Sequence, residues 1–159
     1  MFYQVIQSGA LYQIILGVHN LMRWVVVILA ILALVRAYLG WFGNRAWTMS
    51  DRRVGVFYTA ALDVQLLLGL VLYFLLSPIT AVAFKNLGAA MSDPAVRFFF
   101  LEHALYMILA VIFGHIGSAL SKRATSDVAK HRTAAIWFTL SALAIIIGMP
   151  WSRRILPGL

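Results

Sequence analysis

The chain has no cysteine, and that absence removes a large part of protein chemistry at once. Disulfides, thiolate-held metals, iron–sulfur clusters and covalently attached c-type haem are all excluded. Charge is scarce too: 11% of the 159 residues are charged and only 5 are acidic, whereas 63% are hydrophobic and the mean hydropathy is +0.91. So little polar surface cannot coat a water-soluble globule, and lipid must be the solvent. Also missing are a phosphate-binding loop, an H-E-x-x-H zinc motif and a Ser/His/Asp nucleophile arrangement. The 13 basic residues give a net charge of +8, but they punctuate apolar runs instead of forming a solvated stripe. Nucleic acid is therefore not an expected partner. The segment Met1–Gln13 has no basic n-region, so a removable signal peptide is not expected either.

What the chain does have is a set of uninterrupted apolar stretches, each near the ~20 residues that a helix needs to cross a bilayer. They run from Tyr12 to Leu39, Val54 to Leu76, Ala95 to Leu120 and Thr133 to Met149. This pattern predicts one all-α integral membrane domain over residues 1–159, a bundle of four transmembrane helices. Gly40 and Gly43 should end the first span. Ser50 or Asp51 is expected to cap the second, Asp93 with Pro94 the third, and Ser126 or Asp127 the fourth, while Pro150 and Pro157 bracket a short polar tail. Between the second and third spans, Ile79, Val82, Phe84, Leu87 and Met91 have mixed helical spacing and predict a short interfacial helix. Arg36, Arg45, Arg52, Arg53, Lys122, Arg123, Lys130 and Arg132 flank one side of the membrane, against Lys85, Arg97, Arg153 and Arg154 on the other. The positive-inside rule then puts both short loops in the cytoplasm and both termini on the outer side. Trp41 and Trp47 on the first side, and Tyr12 and Trp151 on the other, fit interfacial aromatic belts.

Function has to be sought among ionisable residues inside the spans, because each costs several kcal/mol unless it faces protein, water or a partner. These are His19 and Arg23 in the first span, Asp63 in the second, and Glu102, His103 and His115 in the third, with His131 at the start of the fourth. At a rise of 1.5 Å per residue, His19 and His103 both lie roughly 10 Å below the outer face, on helices of the same direction. Two level histidines on different helices are what bis-imidazole haem b ligation requires, with the porphyrin between helices. Glu102 could accept the second ring N–H of a neighbouring histidine. Arg23 could orient His19 or meet a haem propionate. By the same count Arg23 and Asp63 both reach roughly mid-depth, which predicts an ion pair. His115 and His131 fall near the inner face and form a second possible site. Without a ligand, level histidines can simply hydrogen-bond across helices. His19, Met22, His103 and Met107 could also offer copper a mixed soft site.

Gly114, Gly117 and Ser118 in the third span, and Ser141, Ala144 and Gly148 in the fourth, predict close helix approach. The strings HNLMRW (19–24), DVQLLLGLVLYF (63–74), RFFFLEH (97–103), SKRATSDVAKHR (121–132) and GMPW (148–151) together resemble small four-helix bacterial membrane proteins described as cytochrome b-like. The resemblance covers nearly the whole chain and implies haem, electron transport and the bacterial inner membrane. His19, His103 and His131 match that group's pattern, His115 is particular to this chain, and relatives often carry histidine where Asp63 stands. A weaker likeness to copper-resistance membrane domains implies copper instead. The resulting expectation is a b-type cytochrome-like electron-transfer protein with haem b between His19 and His103, within a larger membrane assembly or a homo-oligomer and with quinone as a conceivable partner. The alternative is a cofactor-free accessory subunit of a larger complex, and copper or proton handling comes third.

Overall fold

Four long apolar helices make up the bundle in the computed structural model, which describes residues 9–151. They span Gly9–Phe42, Met49–Leu76, Pro94–Arg123 and Asp127–Gly148, and each is long and apolar enough to cross a membrane. No strand is present among the described residues. The expected chain start at Met1, and Arg153, Arg154 and Pro157, lie outside them. Each span packs on the next and the first packs on the fourth, so the helices run up, down, up and down around a square. The end carrying Gly9, the 77–93 connection and Trp151 is here the upper end; the loops at 43–48 and 124–126 form the lower end.

Local chemistry explains where the helices stop. The first runs past Gly40 to Phe42 and turns at Asn44, whose φ of 49° lies in the left-handed region that asparagine tolerates. The second starts slightly earlier than the apolar pattern suggests. Its cap is Thr48 rather than Ser50 or Asp51, because Thr48 and Asp51 form a reciprocal capping box: the Asp51 carboxylate accepts from the Thr48 backbone N–H at 2.8 Å. The same carboxylate accepts from Arg36 Nε at 2.8 Å, tying the first two spans at the lower end. Asp93 caps the third span by accepting from the N–H groups of Ala95 and Val96, and Ser126 caps the fourth. The 77–93 connection holds two short helices, Pro78–Lys85 and Leu87–Ser92, instead of one.

The lower half is solid. Tyr58 is fully buried and lies 2.6 Å from Ser141 Oγ, which itself donates to the Ala110 carbonyl at 2.6 Å. Ser141 spends its only hydrogen there, so Tyr58 must be the donor in the first bond, and three helices are joined by one satisfied polar chain. Phe138 closes edge-on against Tyr58, and small residues let the backbones approach around it. A Cβ added at Gly117 would sit 2.8 Å from Trp137 Cβ, and one at Gly40 would fall onto the His131 ring.

The upper half departs from ideal helix. The second span ends in a π-helical turn, Leu72–Leu76, and the third carries another at Phe98–Glu102. Such turns insert one residue into the helical register and leave backbone groups for other partners. Thr80 Oγ1 accordingly donates to the Tyr73 carbonyl at 2.7 Å, and the Tyr73 hydroxyl donates to the Phe100 carbonyl at 2.9 Å.

Candidate functional site

Between the spans of the upper half lies a half-open cavity whose free space, mouth included, is about 910 Å³. His19, Asn20, Arg23, Gln65, Tyr73 and His103 supply its polar lining, and Leu62, Leu72, Phe99 and Met107 belong to its apolar wall. The cavity has a structural cause. The fourth helix ends at Gly148 while the first continues upward to Gly9, and Leu72, Tyr73 and Phe99 of the two π turns line the gap.

His19 and His103 meet here. Their ring centres are 6.3 Å apart and the ring planes are inclined by 72°. His103 Nδ1 lies 2.7 Å from the Gly148 carbonyl, which can only accept, so Nδ1 carries the proton. Gly148 makes this approach possible, because a Cβ there would come within 2.5 Å of Tyr106 Cβ. Phe98 and Phe99 pack against the His103 ring, each with its centre 6.1 Å away. His19 is held by Gln65, whose amide nitrogen donates to the His19 carbonyl at 3.1 Å and lies 3.2 Å from His19 Nε2. His19 Nδ1 is buried without a hydrogen-bond partner, a state that costs free energy until something fills it.

The other sequence candidates are distributed differently. Arg23 is buried, lines the cavity, and points Nη1 at the Pro150 carbonyl 3.4 Å away, with its guanidinium 5.5 Å from the Trp24 ring centre. The expected Arg23–Asp63 ion pair is not what Asp63 forms: its carboxylate meets His115 Nε2 at 2.7 Å. The reason is angular. Gln65 faces His19, and a residue two positions earlier on a helix points about 200° away, toward the third span. Glu102 does not hold a histidine; it pairs with Arg97 Nε at 2.8 Å, and the Gly148 carbonyl takes the role expected of it. Nor do His115 and His131 make a second site together. His115 is engaged with Asp63 on an outward face, while His131 is buried beneath Gly40 with Trp47 edge-on at 4.7 Å.

Asn20, Gln65 and Tyr73 are cavity residues that sequence reasoning passed over, and Gly148, expected only to let helices approach, supplies the carbonyl that holds His103. The uncharged Gln65 within an apolar run was a usable signal, since an amide in a span also needs a partner. Comparison of the chain with known protein families, curated proteins and solved structures finds no significant match, so the site is interpreted from its geometry.

Proposed function

We propose that this chain is a b-type cytochrome-like electron carrier of the bacterial inner membrane, holding one haem b through His19 and His103. The observation that carries this reading is the pair of imidazoles that line one cavity with ring centres 6.3 Å apart. His19 and His103 are the residues that would hold the group, each through a ring nitrogen. The donor set suits it. His103 is fixed by a backbone carbonyl through Nδ1, the outer contact that ligating histidines use. Arg23 adds positive charge to the cavity wall, which favours an anionic ligand. When bound, such a group supplies reversible one-electron transfer. The residues bind and orient it, and the apolar wall limits water.

The reduced-minus-oxidised visible spectrum of the protein purified from its membrane is the test. Bis-imidazole haem b bands at one haem per chain are expected, with His19→Ala and His103→Ala abolishing or strongly altering them and His115→Ala leaving them unchanged. A normal spectrum in both cavity variants, or no haem in the intact assembled protein, would overturn the proposal. The accessory-subunit reading keeps one observation in its favour: the half-exposed Asp63–His115 pair suits contact with another chain. We further propose that the lower end faces the cytoplasm, as its excess of basic residues favours. A reporter inserted at Asn44 should then read cytoplasmic and one fused after Leu159 external; the opposite result inverts the orientation.

A further inference from the structure

Asp63 and His115 are placed where a lone membrane-embedded chain should have no polar group. Both lie about two helical turns or more from the nearest end of their spans. Their side chains are 48% and 49% exposed, on the outer surface between the second and third helices. A carboxylate and an imidazole turned toward hydrocarbon cost several kcal/mol unless protein covers them.

The surface around them fits a covering helix. Ala60 lies three residues before Asp63, and Ala119 four residues after His115, so both sit beside the pair on its lower side. Both alanines are exposed, and small residues there let another backbone come close. Above the pair, Val64, Leu67, Ile108 and Ile112 form an exposed apolar shelf. The third span also gives least to the bundle's interior: 6% of its most apolar stretch is buried, against 44% for the fourth. Its unused surface is therefore the one that carries the polar pair.

We propose that this face pairs with a second copy of the chain about a twofold axis, with the two Asp63–His115 pairs at its centre. The argument is chemical. The hydrogen bond within one copy uses one carboxylate oxygen and Nε2, leaving the other oxygen of Asp63 as an acceptor and Nδ1 of His115 for a second contact, in which the proposed pairing has that nitrogen donate. A twofold axis requires a patch that complements itself, and this patch offers one donor and one acceptor side by side. Each copy's leftover donor then meets the other's leftover acceptor, closing a ring of four charge-assisted hydrogen bonds away from lipid.

The chain's lack of cysteine makes the test clean. Ala60→Cys and Ala119→Cys copies carrying different tags are co-expressed and oxidised mildly in native membranes. A disulfide-linked dimer bearing both tags is expected, with at least tenfold less product when either is paired with Ile28→Cys on the exposed surface of the first span. In lipid nanodiscs, Asp63→Asn and His115→Gln should each lower the dimer fraction at least tenfold, and the exchange Asp63→His with His115→Asp should restore it. A monomer in lipid, cross-linking no stronger than the Ile28→Cys control, or cross-linking of Ala60→Cys mainly to a different protein would each overturn the proposal.

Discussion

The two halves of this bundle are built from the same four helices and solve opposite problems. In the lower half, glycine brings backbones together until side chains interlock: His131 occupies the space a Cβ on Gly40 would need, and Phe138 packs over Gly117. In the upper half, the glycine that lines the cavity leaves a margin, since a Cβ on Gly69 would stop 3.4 Å from His19 Cε1, an ordinary contact, whereas Gly148 beside His103 is as close-packed as the glycines below. Polar groups divide less cleanly. Below, Tyr58, Ser141 and the Ala110 carbonyl satisfy one another completely, although both ring nitrogens of His131 are buried there without hydrogen-bond partners; above, His19 Nδ1 and Gln65 Oε1 are buried without partners beside a cavity. The halves therefore differ in packing more than in polar satisfaction: the unmet polar atoms of His131 are enclosed by close-packed side chains, whereas those of His19 and Gln65 border a cavity.

The sharpest way to break this contrast is to crowd the solid half. Gly40→Ala places a methyl on the His131 ring, which is 1% exposed and closed in by Trp47, so the ring has nowhere to go. Overpacking of this kind typically costs 1–3 kcal/mol, and about 3 kcal/mol is expected here because the obstacle is a buried ring. Thermal unfolding in detergent should show the loss. An unchanged midpoint would mean that the lower half is not close-packed.

A smaller effect is expected from Tyr58→Phe, which removes one hydroxyl and keeps the ring against Phe138. Ser141 retains its bond to the Ala110 carbonyl, so only one buried hydrogen bond is lost and about 1 kcal/mol is expected. A loss several times larger would show that the Tyr58 bond holds the three helices cooperatively. The haem spectrum expected under the proposed function should not change, because Tyr58 does not line that space.

The same contrast marks how far the sequence could be read. Spans were legible because lipid demands about 20 apolar residues in a row, whatever the helices do next. The meeting of His19 with His103 was legible because both the depth and the direction of their helices follow from counting. Depth alone misled for Asp63: it reaches about the expected level, but the azimuth that turns Gln65 toward His19 turns Asp63 toward His115. Glu102 was misassigned for a related reason. It sits in the π turn Phe98–Glu102, where an inserted residue rotates the register between Arg97 and His103, and π turns have no sequence signature as plain as a cap or a proline.

The smallest expected effect sharpens the contrast most, because it should reverse in sign. Gly69→Ala is the same chemical change as Gly40→Ala, made in the hollow half. Its methyl would meet His19 Cε1 at 3.4 Å, which requires no displacement of the ring. Within a helix, alanine is favoured over glycine by about 1 kcal/mol, so the unliganded bundle should be unchanged or slightly more stable. The methyl also removes free volume beside the one cavity histidine that has a buried unpartnered nitrogen. On the proposed haem-binding reading, ligand retention should therefore fall while stability does not. Measuring haem content and unfolding midpoint on the same preparation decides the matter: a midpoint that drops as far as that of Gly40→Ala would erase the distinction between the halves. An unaltered haem content would place the ligand away from the Gly69 side of His19.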